Sequence, residues 1–129
     1  MTKIEALYNF FSGFNIPAYE ENSVYAMAEA GNAPSFPDLT YEVKTDYFGE
    51  NDTNISFSLW YRSMSWVDIN AKSEEISAAI GRVGKLLDCD GGHILIMRSQ
   101  PWAQSMGDGS DDAVKRIVHN LNLRYYTNN

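Results

Sequence analysis

Apolar residues follow one rhythm near the start of this chain and another from Leu39 onward. Over residues 3–12, Ile4, Leu7, Tyr8 and Phe11 recur at i, i+3, i+4 and i+7, the stripe of a short amphipathic helix. Gly13 follows as a helix stop that tolerates positive φ. Residues 14–38 show no period, and Pro17, Pro34 and Pro37 each remove a backbone donor there. Within them, "VYAMAEAGN" is compatible with a helical turn or two. From Leu39 the period is two. Leu39, Tyr41 and Val43 alternate with Thr40, Glu42 and Lys44, and "NISFSLWYRS" repeats the pattern with Ile55, Phe57, Leu59 and Tyr61 on one side. The connector "DYFGENDTN" exceeds a two-residue turn and is expected to protrude as a flexible hairpin tip bearing Tyr47 and Phe48.

A second helix is expected over residues 67–83, with Ile69, Ser73, Ile76, Ile80 and Val83 on one face, Gly84 at its end, and Ser65 and Asp68 as a capping pair. "KLLDCDGGHILIMRS" reads as two strands about a tight Asp-Gly-Gly turn, and "HILIM", apolar on both faces, as a central covered strand. Residues 115–127 carry both a helical stripe and an alternation. Asn120 and Asn122 disfavour helix and "LRYY" favours strand, so strand is the reading. The order α-β-β-α-β-β-β makes an α+β fold, a mainly antiparallel sheet with two helices packed on it, as a single domain over residues 1–129.

Composition narrows the function. With 129 residues, 44% of them hydrophobic, the chain can bury one core. Ten Lys and Arg against seventeen Asp and Glu, a net charge of −7, argue against a dedicated duplex-DNA binder, which must neutralise phosphates. The single cysteine, Cys89, makes no intrachain disulfide and no thiolate zinc site, and Asp88 and Asp90 beside it disfavour its thiolate. No apolar run approaches the ~20 residues that span a bilayer, and "MTKIEALYNFF" lacks the layout of a signal peptide.

Candidate chemistry centres on "QSMGDGSDDAVKR", with Asp108, Asp111 and Asp112 in five positions. A calcium loop wants six to eight oxygens at set spacing and a distant Glu, yet no Glu follows residue 75. The simpler reading is a solvated turn in which Asp side chains bond backbone amides. His93 and His119, the only histidines, fall in expected strands outside any metal motif. A small metal-dependent hydrolase using the Asp cluster with one of these histidines is the alternative from another class. A peptide adaptor working through a sheet edge is a third. No catalytic, cofactor-binding or metal-ligating residue is assigned, and no cofactor is expected. Contact surfaces are richer: the hairpin tip, "WYRSMSW" and the twelve-residue loop "RSQPWAQSMGDG" present Tyr47, Phe48, Trp60, Arg62, Met64, Trp66, Arg98, Trp102 and Met106, types enriched at interface centres.

Taken in order, "IEALYNFFSGFNIPAYEENSV", "LTYEV", "SLWYRSMSW", "EEISAAIG" and "DGGHILIMRSQPWAQSMGDGSDDAVKRI" resemble a family of small phage and prophage proteins of Gram-positive bacteria, often called minor capsid proteins. That family is similar to the tail terminator, or tail-completion, proteins of phages with long non-contractile tails. The resemblance covers nearly the whole chain and is carried by structural motifs. It implies a structural virion protein made in the bacterial cytoplasm and placed at the head-tail junction, with no enzymatic activity and no membrane partner. It further implies a self-assembled ring, usually a hexamer, that caps the tail tube protein and docks a head-completion or connector protein, DNA passing through its channel. Another neck or minor capsid component is the alternative within that class. An acidic lumen would let DNA slide, and Asp108, Asp111, Asp112, Glu50 and Asp52 are the candidates to face the channel or the next ring.

Overall fold

The computed structural model describes all of residues 1–129. Its elements are α1 (Lys3–Phe11), a 3-10 turn (Ser12–Phe14), β1 (Ala18–Glu20), α2 (Glu21–Glu29), β2 (Asp38–Tyr41), β3 (Thr53–Arg62), α3 (Val67–Ile80), β4 (Lys85–Cys89), β5 (Gly92–Asp108) and β6 (Asp111–Thr127). The strands form one six-stranded curled sheet in the order β1-β2-β3-β6-β5-β4, antiparallel except for the β1–β2 pair. The α+β class stands; β1 is an addition to the expected order, and the helical turn or two read in "VYAMAEAGN" is α2, which begins earlier, at Glu21.

Strand alternation sets the inner face. Leu39 and Tyr41, Ile55, Phe57 and Leu59, Ile94 and Ile96, and Ile117, Leu121, Leu123 and Tyr125 all point to the core. Onto this face pack α1 and α3. Ile69, Ser73, Ile76 and Ile80 of α3 are buried as the spacing requires. The helix stops at Ile80 rather than 83, because Gly81 takes φ 78 and turns the chain out, leaving Val83 85% exposed. Its N-cap is Trp66, without a side-chain bond; Ser65 Oγ instead accepts from the Val67 amide.

The inner stripe of α1 is turned one residue from the expected one. Ala6, Leu7, Phe10 and Phe11 are buried while Ile4 and Tyr8 are exposed. Aromatic packing decides this: Phe11 stacks on Tyr41 at 4.5 Å, and Phe10 meets Phe11 and Phe14 edge-on at 5.2 and 5.3 Å. Thr2 and Glu5 close a reciprocal capping box, worth about 1 kcal/mol. The left-handed residue that ends this segment is Asn15, at φ 62, rather than Gly13.

Further corrections concern "HILIM" and the long loop. The first lies in β5, one strand from the edge, and only Ile94 and Ile96 are fully buried; Leu95 and Met97 face the side of the sheet that α1 and α3 leave bare. The central strands are β3 and β6. Residues 98–109 are no loop. β5 continues through them to Asp108, paired with β6, with a register shift between Arg98 and Ala103. Pro101, which cannot donate to a ladder, sits in that bulge, where Asn120 Nδ2 donates to its carbonyl at 2.9 Å.

Candidate contact surfaces

The face of the sheet away from α1 and α3 carries a row that crosses four strands. Register aligns Met106 with Arg116, Arg116 with Trp60, and Trp60 with Asp38. The Arg116 guanidinium lies 4.5 Å above the Trp60 ring, and its Nε donates to Ser58 Oγ at 3.2 Å. Trp60 Nε1 donates to Thr40 Oγ1 at 2.9 Å. The indole is thus held at its N–H and covered on one face, an aromatic platform with a cation on it. A hollow of about 250 Å³ opens here, lined by Trp60, Met106, Asp108, Val114 and Arg116. Sequence reading singled out Trp60 and Met106 but missed Arg116. Its signal was its place on the non-core parity of the final strand, which becomes useful only once register is known.

Asp38 ends this row as a buried carboxyl, and burial alone raises its pKa to about 6. No ion pair offsets that burial.

The acidic stretch is the tip of the β5–β6 hairpin. Asp108 Oδ1 accepts from both the amide and the hydroxyl of Ser110 at 2.8 Å, an Asx-type turn that holds its pKa below the usual carboxylate range. Asp111 pairs with Arg62 across the strand ends at 2.8 Å and accepts from the Ala113 amide at 3.0 Å. Asp112 is exposed, and its backbone carbonyl accepts from Lys115 Nζ. The carboxylates of Asp108 and Asp111 are therefore engaged separately and that of Asp112 is free, and no group of three or more His, Cys, Asp or Glu side chains is gathered to hold a metal.

The remaining contact candidates divide. Tyr47 is 71% exposed, and Met64 and Phe48 are also largely free. The tip that carries Tyr47 and Phe48 is tied rather than free-standing. Phe48 meets Tyr126 edge-on at 5.9 Å, the Gly49 amide donates to the Tyr125 carbonyl, and Asp52 pairs with Arg124 at 2.8 Å. Among its acids Asp46 accepts from the Tyr47 amide and Thr53 Oγ1, while Glu50 is exposed with no ion pair. Arg98 donates to Ser77 Oγ at 2.7 Å. Trp66 and Trp102 are half-buried against the core, Trp66 under Lys115 and Trp102 edge-on to Phe57 and His119. They are chiefly packing residues.

The two histidines do not meet. His93 is exposed and bonds Asp88 at 2.9 Å. His119 is fully buried, stacked on Phe57 at 4.3 Å, with Nε2 2.7 Å from Ser73 Oγ. Burial lowers its pKa to about 4; the carbonyls of Phe57 and Ile117 offset this only in part, and Nδ1 has no partner in hydrogen-bond geometry. The ring is neutral, and its hydroxyl neighbour is shut from solvent as well.

Both ends of the sheet are unpaired. At one end β1 is flanked by α2, a helix with no buried residue. At the other, β4 borders an open groove of about 500 Å³ whose walls include Phe10, Phe14, Ala79 and Leu87. No helix is long and apolar enough to cross a membrane. No protein-family model matches the chain, and no curated protein matches it.

Proposed function

We propose that this chain is a structural subunit of a phage particle: a tail terminator or a closely related head-tail joining protein that assembles as a ring. The observation that carries this reading is the pair of unpaired sheet ends, β1 with α2 and β4 with its groove. A cyclic assembly joins subunits head to tail, so each needs two different adhesive surfaces, and this fold offers two. The ordered motifs from "IEALYNFFSGF" to "SDDAVKRI" support the same assignment. So does the chemistry of the polar groups. Asp108 and Asp111 are spent on their own turn and on Arg62, and the Ser73–His119 contact is sealed in the core.

In this reading Tyr47, Phe48 and Met64 provide exposed contact area for the tube or connector partner. Glu50 and Asp112 are the carboxylates free to face DNA, whereas Asp52, Asp108 and Asp111 serve their own turns first. Light scattering and negative-stain microscopy of the purified protein test the assignment. Closed rings, of several-fold the monomer mass, are expected. A strict monomer that binds one divalent ion tightly would overturn it in favour of the hydrolase.

A further inference from the structure

The chain has five arginines. Arg62 and Arg124 have carboxylate partners, and Arg116 lies on the Trp60 ring. The remaining two, Arg82 and Arg98, stand together without an ion pair. They line a hollow of about 280 Å³ with Ser99, Gln100 and Trp102, where the end of α3 meets the bulge of β5. No carboxylate lines this hollow, and the chain has none from Ile76 to Leu87. Glu74, one turn before Ser77 on α3, pairs with neither arginine. The frame is held on both sides. Arg98 Nη1 donates to Ser77 Oγ at 2.7 Å, which orients one guanidinium and leaves its other N–H groups for a ligand. Trp102 sits edge-on to Phe57 and His119, and Asn120 Nδ2 holds the neighbouring Pro101 carbonyl. Ser99 and Gln100 add neutral hydrogen-bonding groups to the lining.

We propose that this hollow is an anion site that receives a carboxylate side chain from an acidic segment of another protein. Guanidinium forks match the planar carboxylate, and two of them with no acid of their own leave a positive charge for the ligand to neutralise. Two features favour carboxylate over phosphate. α3 ends beside the hollow, and the partial negative charge of its last carbonyls opposes a dianion more than a monoanion. The net charge of −7 repels a polyanion such as nucleic acid more than it repels a short acidic segment. The site needs neither ring nor tail tube, so its failure leaves the proposed function untouched.

The test is a titration of the full chain at low salt, followed by the NMR signals of the arginine Nε–H groups and the Trp102 indole N–H. The probe is a capped tetrapeptide with two adjacent glutamates, and the control is the same peptide with glutamines. The glutamate peptide is expected to shift Arg82, Arg98 and Trp102 saturably, the glutamine peptide not at all. Arg82→Gln and Arg98→Gln are each expected to weaken binding about fivefold or more, through loss of charge-assisted hydrogen bonds. Both positions are exposed, and an otherwise unchanged amide spectrum shows that each variant is folded. No saturable shift up to about 10 mM peptide would overturn the site. Equal shifts at Arg62, Arg116 and Arg124 would overturn it in favour of diffuse attraction. Tighter binding of inorganic phosphate or a short DNA duplex at the same signals would overturn the choice of carboxylate. The same shifts on concentrating the protein alone would assign the site to a second copy and overturn the foreign partner.

Discussion

His119 makes a quantitative case. It is fully buried, stacked on Phe57, bonded at Nε2 to Ser73 and unpartnered at Nδ1. Charging it inside the fold has no compensating anion, so its pKa falls from 6.5 to about 4. In the unfolded chain the ring takes its proton near pH 6.5. The folded state binds that proton later, so the stability tied to a neutral His119 is complete above pH 6.5. It is lost progressively down to about pH 4, where both states are charged. The full loss is about 3 kcal/mol, a large share of a small domain's stability. Asp38 runs the other way. Its folded pKa near 6 exceeds the unfolded 3.8, so its protonation adds stability as pH falls through the same window. A single acid titration therefore sees the difference of two opposed effects. Comparing wild type with His119→Phe by urea denaturation at pH 7.5, 6, 5 and 4 isolates the histidine. The phenyl ring keeps the stack on Phe57, and Ser73 turns its hydroxyl to a carbonyl of α3. Wild type should lose about 3 kcal/mol more than the variant between pH 7.5 and 4. Parallel stability curves would refute the claim that His119 stays neutral because it is buried.

Asp38→Asn should stabilise the protein at pH 7.5 by about 1–2 kcal/mol and remove the opposing acid-side gain, read by the same denaturations. Gly92→Ala should cost about 3 kcal/mol or more, because a Cβ there would lie 1.9 Å from the Tyr126 carbonyl oxygen at φ 151; chemical denaturation or a fall in soluble yield reports it. Asp108→Ala should lower Tm measurably through loss of its two bonds to Ser110, and Asp112→Ala should leave it nearly unchanged, measured by thermal melts. Millimolar calcium or magnesium should give no saturable shift in Tm, and a saturable shift abolished by the Asp108 variant would restore the metal site.

Much of the inner face was legible because period-two and period-3.6 patterns report burial directly. Phe57 and Leu59 in β3, Ile69 and Ile76 in α3, and Ile117 and Leu121 in β6 all fell where their spacing put them. The His119–Ser73 contact was not read: spacing put Ser73 on the buried face of its helix and His119 in a strand, but not the two against each other. What the patterns missed has physical causes. A three-residue strand such as β1 is too short to show a period, and α2 buries nothing, so only a helical turn or two could be read there and not its extent. α1 was misoriented by one residue because Phe10 and Phe11 compete for the core, and ring packing rather than spacing chooses between Tyr8 and Phe10. In 98–109, Pro101 and two glycines signalled a loop. The bulge absorbed the proline, and strand pairing resumed on its far side. The contact row of Met106, Arg116 and Trp60 depended on register across three strands, which local sequence does not encode.

The bulge between Arg98 and Ala103 also separates what must be conserved in length from what need not be. On the near side, β5 is locked to β4 and β6 by core residues, and one inserted residue would turn Ile94 and Ile96 outward. Beyond Arg62, where β3 ends, the hairpin tip from Gly107 to Ala113 is held by its two strands, the Asp111–Arg62 pair and, at its base, the Ser63 amide donating to the Ala113 carbonyl. Adding one residue to each strand there would lengthen its reach by about 3.3 Å and leave the core register untouched. The tip is a gauge whose length can be matched to a neighbour of different dimensions without rebuilding the domain that carries it.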